Sequence, residues 1–293
     1  MAKTIDQAYI TTFQNNVRHL AQQRTTLARH WVEEVHEQSE AHNWEILNAQ
    51  DDTAIRAKPG GLTDTPDHDE VWAKRRTNTK TFDTGNSVQH EDPIQMLVDP
   101  NSALVRRQAM AMQRKTDDII FGSAFAPAAV KGSATPVNFP AGQEAGSYTD
   151  ELNFDIVTEV TEKFLKNDID PDLEKVMFIS PVQARKLLHL LEATSADYNL
   201  MRPLQSVGMV NNWMGYTWVV TNRLNAPAAN QLDLICMTRQ ALGLHIASDV
   251  MTKVAEDPSK SFAWRIYSYM SMDAVRVEDE HIVKVKVADT FTP

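Results

Sequence analysis

The chain has 293 residues, a formal net charge of −10 and a single cysteine, Cys236. That length supports a sizeable core without metal or disulfide support, and one cysteine excludes an intrachain disulfide framework. The acidic balance argues against a surface that wraps nucleic acid, because phosphate neutralisation needs clustered Lys and Arg. No apolar run is long enough to cross a bilayer and the first residues carry no export signal, so the chain reads as soluble and unexported.

From Ile5 to about Ser39 the pattern is helical, with Ile10, Phe13, Val17, Leu20, Leu27 and Trp31 on a period of 3 to 4 residues. Two readings stay open for it. It is a packed helix pair, or an arm whose narrow apolar stripe lies across a neighbouring molecule. His30, His36 and His42 are spaced by 6 and so fall on different sides of a helix, which argues against a shared metal.

Ala49 to Asn86 is rich in Asp, Thr, Lys and Arg and poor in apolar residues. A structureless loop of that length is improbable in a compact domain. The stretch is therefore expected to be a long two-stranded excursion, turning near Lys58, Gly60 and Gly61. With no core of its own it has to rest on another surface, and Trp72 is one of its few large apolar residues. The acidic run Asp64 to Glu70 does not have the spacing of a calcium loop. The basic run of Lys74, Arg75, Arg76 and Lys80 reads either as a pairing surface for a neighbour or as a charged strand edge.

Asp99 to Phe125 is predicted to form one long helix. Val105, Ala109, Met112, Thr116 and Ile119 with Ile120 make one stripe, while Arg106, Arg107, Gln113, Arg114 and Asp117 make the polar face, and Gly122 is the expected stop. Ala126 to Ser147 is a Gly, Ala and Pro rich connection. A second amphipathic helix is expected from about Thr149 to Asn167, followed by a buried strand at Lys175 to Ser180. Ser180 and Gln183 then form a capping box with Pro181 at the first helical position, and His189 sits among leucines at a core edge. Beyond this the chain reads mainly as strands: Tyr216 to Asn222, Leu232 to Met237, Leu244 to Val250, Phe262 to Met272, Ala274 to Val277 and Ile282 to Val287. The fold class is α+β with antiparallel pairing in the C-terminal third.

No stretch carries chemistry. There is no nucleophile elbow, phosphate loop, HExxH or CxxC, and Cys236 between Ile235 and Met237 reads as an inert buried thiol. No catalytic residue, cofactor or metal ligand is expected.

Three C-terminal segments carry a resemblance: Gly208 to Leu224, Leu234 to Ala247 with its Ala-Leu-Gly turn, and Phe262 to Val287 with its Ala-x-Arg-Val core. Together they resemble the closing segment of tailed-bacteriophage major capsid proteins of the Hong Kong 97-like fold. The resemblance implies an N-terminal arm (1–48), an extended loop (49–86), a peripheral domain with the spine helix (87–174 and 248–293) and an axial domain (175–247). It implies self-assembly into hexamers and pentamers of an icosahedral head in the host cytoplasm. Double-stranded DNA would be enclosed without being read, a portal and a separate scaffolding protein would take part, and no membrane would. Candidate subunit-interface residues are Phe13, Leu20, Trp31, Lys58, Gly60, Gly61, Trp72, Arg75, Arg76, Arg106, Arg107 and Arg114. Some relatives cross-link through a loop lysine, but no motif around Lys58 assigns that chemistry here. The alternatives are a nanocompartment shell protein of the same fold and a hydrolase without a recognisable motif.

Overall fold

The structure is a computed structural model that describes residues 23, 25–47, 72–88, 100–194 and 212–290, without the side chains of 100–103, 188–194 and 212. Twelve strands and three α-helices lie in these residues, an α+β composition.

After a 3-10 turn at Arg29–Trp31, strand β1 (Glu33–His36) runs parallel to β10 (Leu242–Asp257), with Glu33 opposite Gly243. β10, β11 (Ala263–Arg276) and β4 (Lys80–Val88) complete a four-stranded sheet in the order β1-β10-β11-β4. Strands β2 (Ala41–Leu47) and β3 (Trp72–Asn78) pair antiparallel from Ala41↔Asn78 to Leu47↔Trp72. The expected excursion over 49–86 falls largely outside the described residues, which include neither residues 48–71 nor its turn; the pairing described is that of β2, before position 49, with β3. Trp44 of β2 lies against β10 so closely that a Cβ on Gly243 would sit 2.5 Å from the indole, which only glycine avoids.

Helix α1 (Pro100–Ala124) is the predicted long helix. It runs through Gly122 and stops two residues later. Gly122 keeps a helical backbone and lacks the positive φ of a left-handed cap. Met112, Thr116, Ile120, Phe121 and Ala124 are buried, and Phe121 meets Phe178 edge to face at 5.0 Å.

A six-stranded sheet carries the main core in the order β5-β12-β9-β6-β8-β7. Its strands are β5 (Glu144–Gly146), β6 (Lys175–Ile179), β7 (Asn212–Trp213), β8 (Tyr216–Val220), β9 (Gln231–Thr238) and β12 (Ile282–Ala288). β7 and β8 are joined by Met214 and Gly215, both with positive φ, as a two-residue hairpin turn demands. Helix α2 (Phe154–Lys166) packs Val157, Val160 and Phe164 into a cluster with Met177, Leu234, Cys236 and Val285. Each such side chain adds about 1.5–3 kcal/mol of burial. Helix α3 (Pro181–Thr194) follows β6.

Several expectations are corrected. The helical pattern does not extend to Ser39, because residues 33–36 and 41–47 are strands; a four-residue strand with apolar Val35 is too short to show its own period. α2 starts at Phe154 instead of Thr149, since the Asn153 side chain accepts from Ile156 N at 2.8 Å and caps it there. Ser180 caps α3 as predicted, accepting from Gln183 N at 3.3 Å. Gln183 does not reach back: its amide accepts from Leu152 N and donates to Ala288 O at 2.7 Å, tying α3 to the chain's last strand. Residues 263–276 form one strand instead of two. The six-stranded layer joins β5, α2 and β12 in one sheet and core with strands from residues 175–238.

The described residues belong to two compact units. One lies within Met1–Thr25, Thr81–Lys115 and Ser248–Ser271, the other within Thr26–Lys80, Thr116–Ala247 and Met272–Pro293.

Candidate assembly surface

The basic run on β3 separates by the alternation of a strand. Arg75 points inward and is 9% exposed, whereas Arg76 is exposed. Arg75 Nη2 donates to Asp279 at 2.9 Å, and the other Asp279 oxygen takes Nε of Arg276, a fully buried residue of β11. One carboxylate therefore bridges two guanidinium groups. Arg276 also donates to the carbonyls of Ala124 (3.3 Å), Ala126 (2.9 Å) and Val137 (3.1 Å), and lies over the Phe139 ring at 5.2 Å. The C-terminal end of α1 has free carbonyls and partial negative charge, so an arginine is a natural cap there. This joint fastens the long helix to one of the last strands.

The polar face expected on α1 is also divided. Arg106 and Arg107 are exposed and Arg114 is half-buried, donating to Gln23 O at 3.4 Å. Asp117, expected on the same face, is fully buried instead. Its carboxylate accepts from Leu27 N and Ala28 N at 3.1 Å, which satisfies two amides of the incoming chain. Trp31 is buried as well, at 8% exposure, so it is no free-standing anchor. By contrast, Trp72 is 52% and Leu47 51% exposed, opposite each other where β2 and β3 leave the described residues. Phe13, Leu20, Lys58, Gly60 and Gly61 lie outside the described residues, as does the acidic run Asp64 to Glu70, and the His189 side chain is not described.

A recess of about 570 Å³ beside α1 includes Phe125, Arg223, Asn225, Asp233 and Lys284. Its charges are matched internally: Arg223 pairs with Asp118 at 2.7 Å, and buried Asp233 takes Tyr148 Oη at 2.7 Å, Asn225 Nδ2 at 2.8 Å and Lys284 Nζ at 3.3 Å. Burial, and then the Asp233 carboxylate, push the Tyr148 phenol up. Lys284 and Lys286 alternate along β12 as a half-exposed strand would, and they face Asp233 and Glu144. Cys236 is fully buried and burial pushes its thiol up, which holds it as the inert thiol read from its neighbours. Among the described residues no group of His, Cys, Asp or Glu is placed to hold a metal, and no helix is long and apolar enough to cross a membrane.

The chemistry present is that of buried joints and exposed patches. A family model described as phage capsid protein matches residues 5–289. The chain belongs to the phage capsid protein family. No curated protein matches this capsid protein in sequence. Solved capsids share its fold: cyanophage P-SCSP1u at 13% identity and TM-score 0.73, covering 99% of this chain and 96% of that one. Ralstonia phage GP4 follows at 9% and 0.72, covering 98% and 97%, and cyanophage Pam1 at 11% and 0.68, covering 100% and 99%. The resemblance to tailed-phage major capsid proteins and the α+β capsid fold both hold, and the capsid protein is a subunit of the phage shell.

Sequence reasoning missed Asp117, Asp279 and Leu47. Only Arg276 had a signal, as the arginine of the Ala-x-Arg-Val segment.

Proposed function

We propose that this major capsid protein assembles as hexamers and pentamers into an icosahedral head that encloses double-stranded DNA without reading its sequence. The observation that carries the proposal is a phage capsid family match spanning residues 5–289, together with solved capsids that superpose over nearly the whole chain. A family match confined to one lobe would leave the role open. The net charge of −10 suits a wall that packed DNA does not stick to.

In this reading residues 1–48 and 49–86 reach over neighbouring copies, supported by the exposed Leu47 and Trp72 of the β2–β3 pair. The six-stranded layer forms the axial part. Arg76, Arg106, Arg107 and Arg114 serve as contact residues, the subunit's role is mechanical and not enzymatic, and a separate scaffolding protein and a portal take part in assembly in the host cytoplasm. The nanocompartment alternative predicts a protein cargo in place of a genome. Particles purified from producing cells separate the two: nuclease-protected double-stranded DNA supports the head, and shells filled with an enzyme and no DNA would replace it.

A further inference from the structure

Beside β1 lies an open groove of about 490 Å³ whose walls include His30, Trp31, Glu33, Leu173, Glu174 and Arg239. Trp31 and Leu173 give it an apolar side. Glu33 and Glu174 are exposed and have no ion pair among the described residues. Arg239 is the one guanidinium within it among the described residues, and its Nε donates to Val32 O at 3.4 Å. Two unmatched carboxylates beside an indole and a leucine suit a particular visitor. A guanidinium on an aliphatic stem can lay the stem along the apolar wall and give its N–H groups to the carboxylates.

The same chain displays such groups. Arg106 and Arg107 are consecutive on α1 and exposed, and neither has a carboxylate partner among the described residues; Arg107 Nη2 lies 2.8 Å from the side-chain amide of Asn86. We propose that the Trp31, Glu33 and Glu174 groove of one subunit seats the Arg106 and Arg107 stretch of a second copy. The contact is heterologous, since groove and arginines are different surfaces, and contacts of that kind form a ring when the rotation between copies closes. The inference rests on the shell reading above and adds to it which two surfaces meet. It also gives Trp31 a place at an interface as part of a groove wall, consistent with its small exposed fraction.

Charge exchange tests it on the full chain. One variant combines Glu33→Lys with Glu174→Lys, a second combines Arg106→Glu with Arg107→Glu, and a third carries all four changes. Particle yield is read by sedimentation and electron microscopy beside the melting temperature of each unassembled subunit. All four side chains are exposed, so the melting temperatures should agree with the parent's. Each pair alone should cut particle yield by at least about tenfold, the effect of losing roughly 1.4 kcal/mol at a contact, and the fourfold variant should recover most of it. Should a lysine variant unfold, Glu33→Gln with Glu174→Gln removes the charge alone and should still lower the yield. Normal yield from both pairs, or a fourfold variant no better than the poorer pair, would overturn the groove assignment while leaving the shell reading intact. A parent chain that forms no particles would overturn both.

Discussion

Arg75 and Arg76 are neighbours in sequence with opposite environments, and the difference is measurable. Arg75→Glu places a carboxylate beside Asp279 and removes one of its two cations, so it should destabilise the subunit by about 3 kcal/mol or more. Arg76→Glu changes an exposed side chain and should stay within about 0.5 kcal/mol. Denaturant unfolding of the two variants separates them, and equal losses would contradict the inward and outward placement. Sequence presented both residues as one basic run; strand alternation told them apart, but only the partner Asp279, 204 residues away, showed which one faces inward. Asp273 offers a second test. Burial pushes its carboxyl above the ordinary 3.8, against the pull of the Asn78 amide and Lys80. The folded chain therefore holds that proton more tightly than the unfolded one. The associated stability is fully present below the ordinary value and is lost as pH rises through the folded one. Asp273→Asn should then gain stability relative to the parent at pH 7 and lose that advantage at pH 3. A larger advantage at pH 3 would contradict the sign.

At the level of elements, α1 was legible because its apolar positions recur with a helical period over many turns. The outer half of β10 was not. Residues 253–256, beyond the strand expected to end at Val250, are exposed in succession, so no alternation of apolar and polar residues marks them as strand. β1 was absorbed into the preceding helical pattern because four residues are too few to show a period of two. Buried polar joints were invisible for a different reason: an aspartate on a helix that otherwise carries arginines reads as surface until its partners are seen. Asp117 is the case in point. Asp117→Ala leaves the partly buried Leu27 amide and the buried Ala28 amide without their acceptor and should cost roughly 2–4 kcal/mol. Asp117→Asn keeps one acceptor oxygen and should cost less. Thermal unfolding of the pair checks the order, and an alanine variant as stable as the parent would show that residues 27 and 28 do not depend on this helix.

For the molecule as a whole, fold class and family were readable from the C-terminal strands, whose apolar runs and Gly-marked turns are local signals. The assembly surface was only partly readable, because an interface residue and a buried ion-pair residue have the same letters. Trp31 and Arg75 were candidates that the subunit itself buries, while exposed Leu47 drew no attention in sequence. The account's central claim is that this chain closes into a shell. Cryo-electron microscopy of the full chain, expressed with its neighbouring genes, tests it most directly. The expected result is closed particles whose rings of five and six are built from this chain, with the Asp279 bridge and the six-stranded layer intact inside every copy. A population of discrete monomers or small closed oligomers, with no shell under any assembly condition, would contradict it.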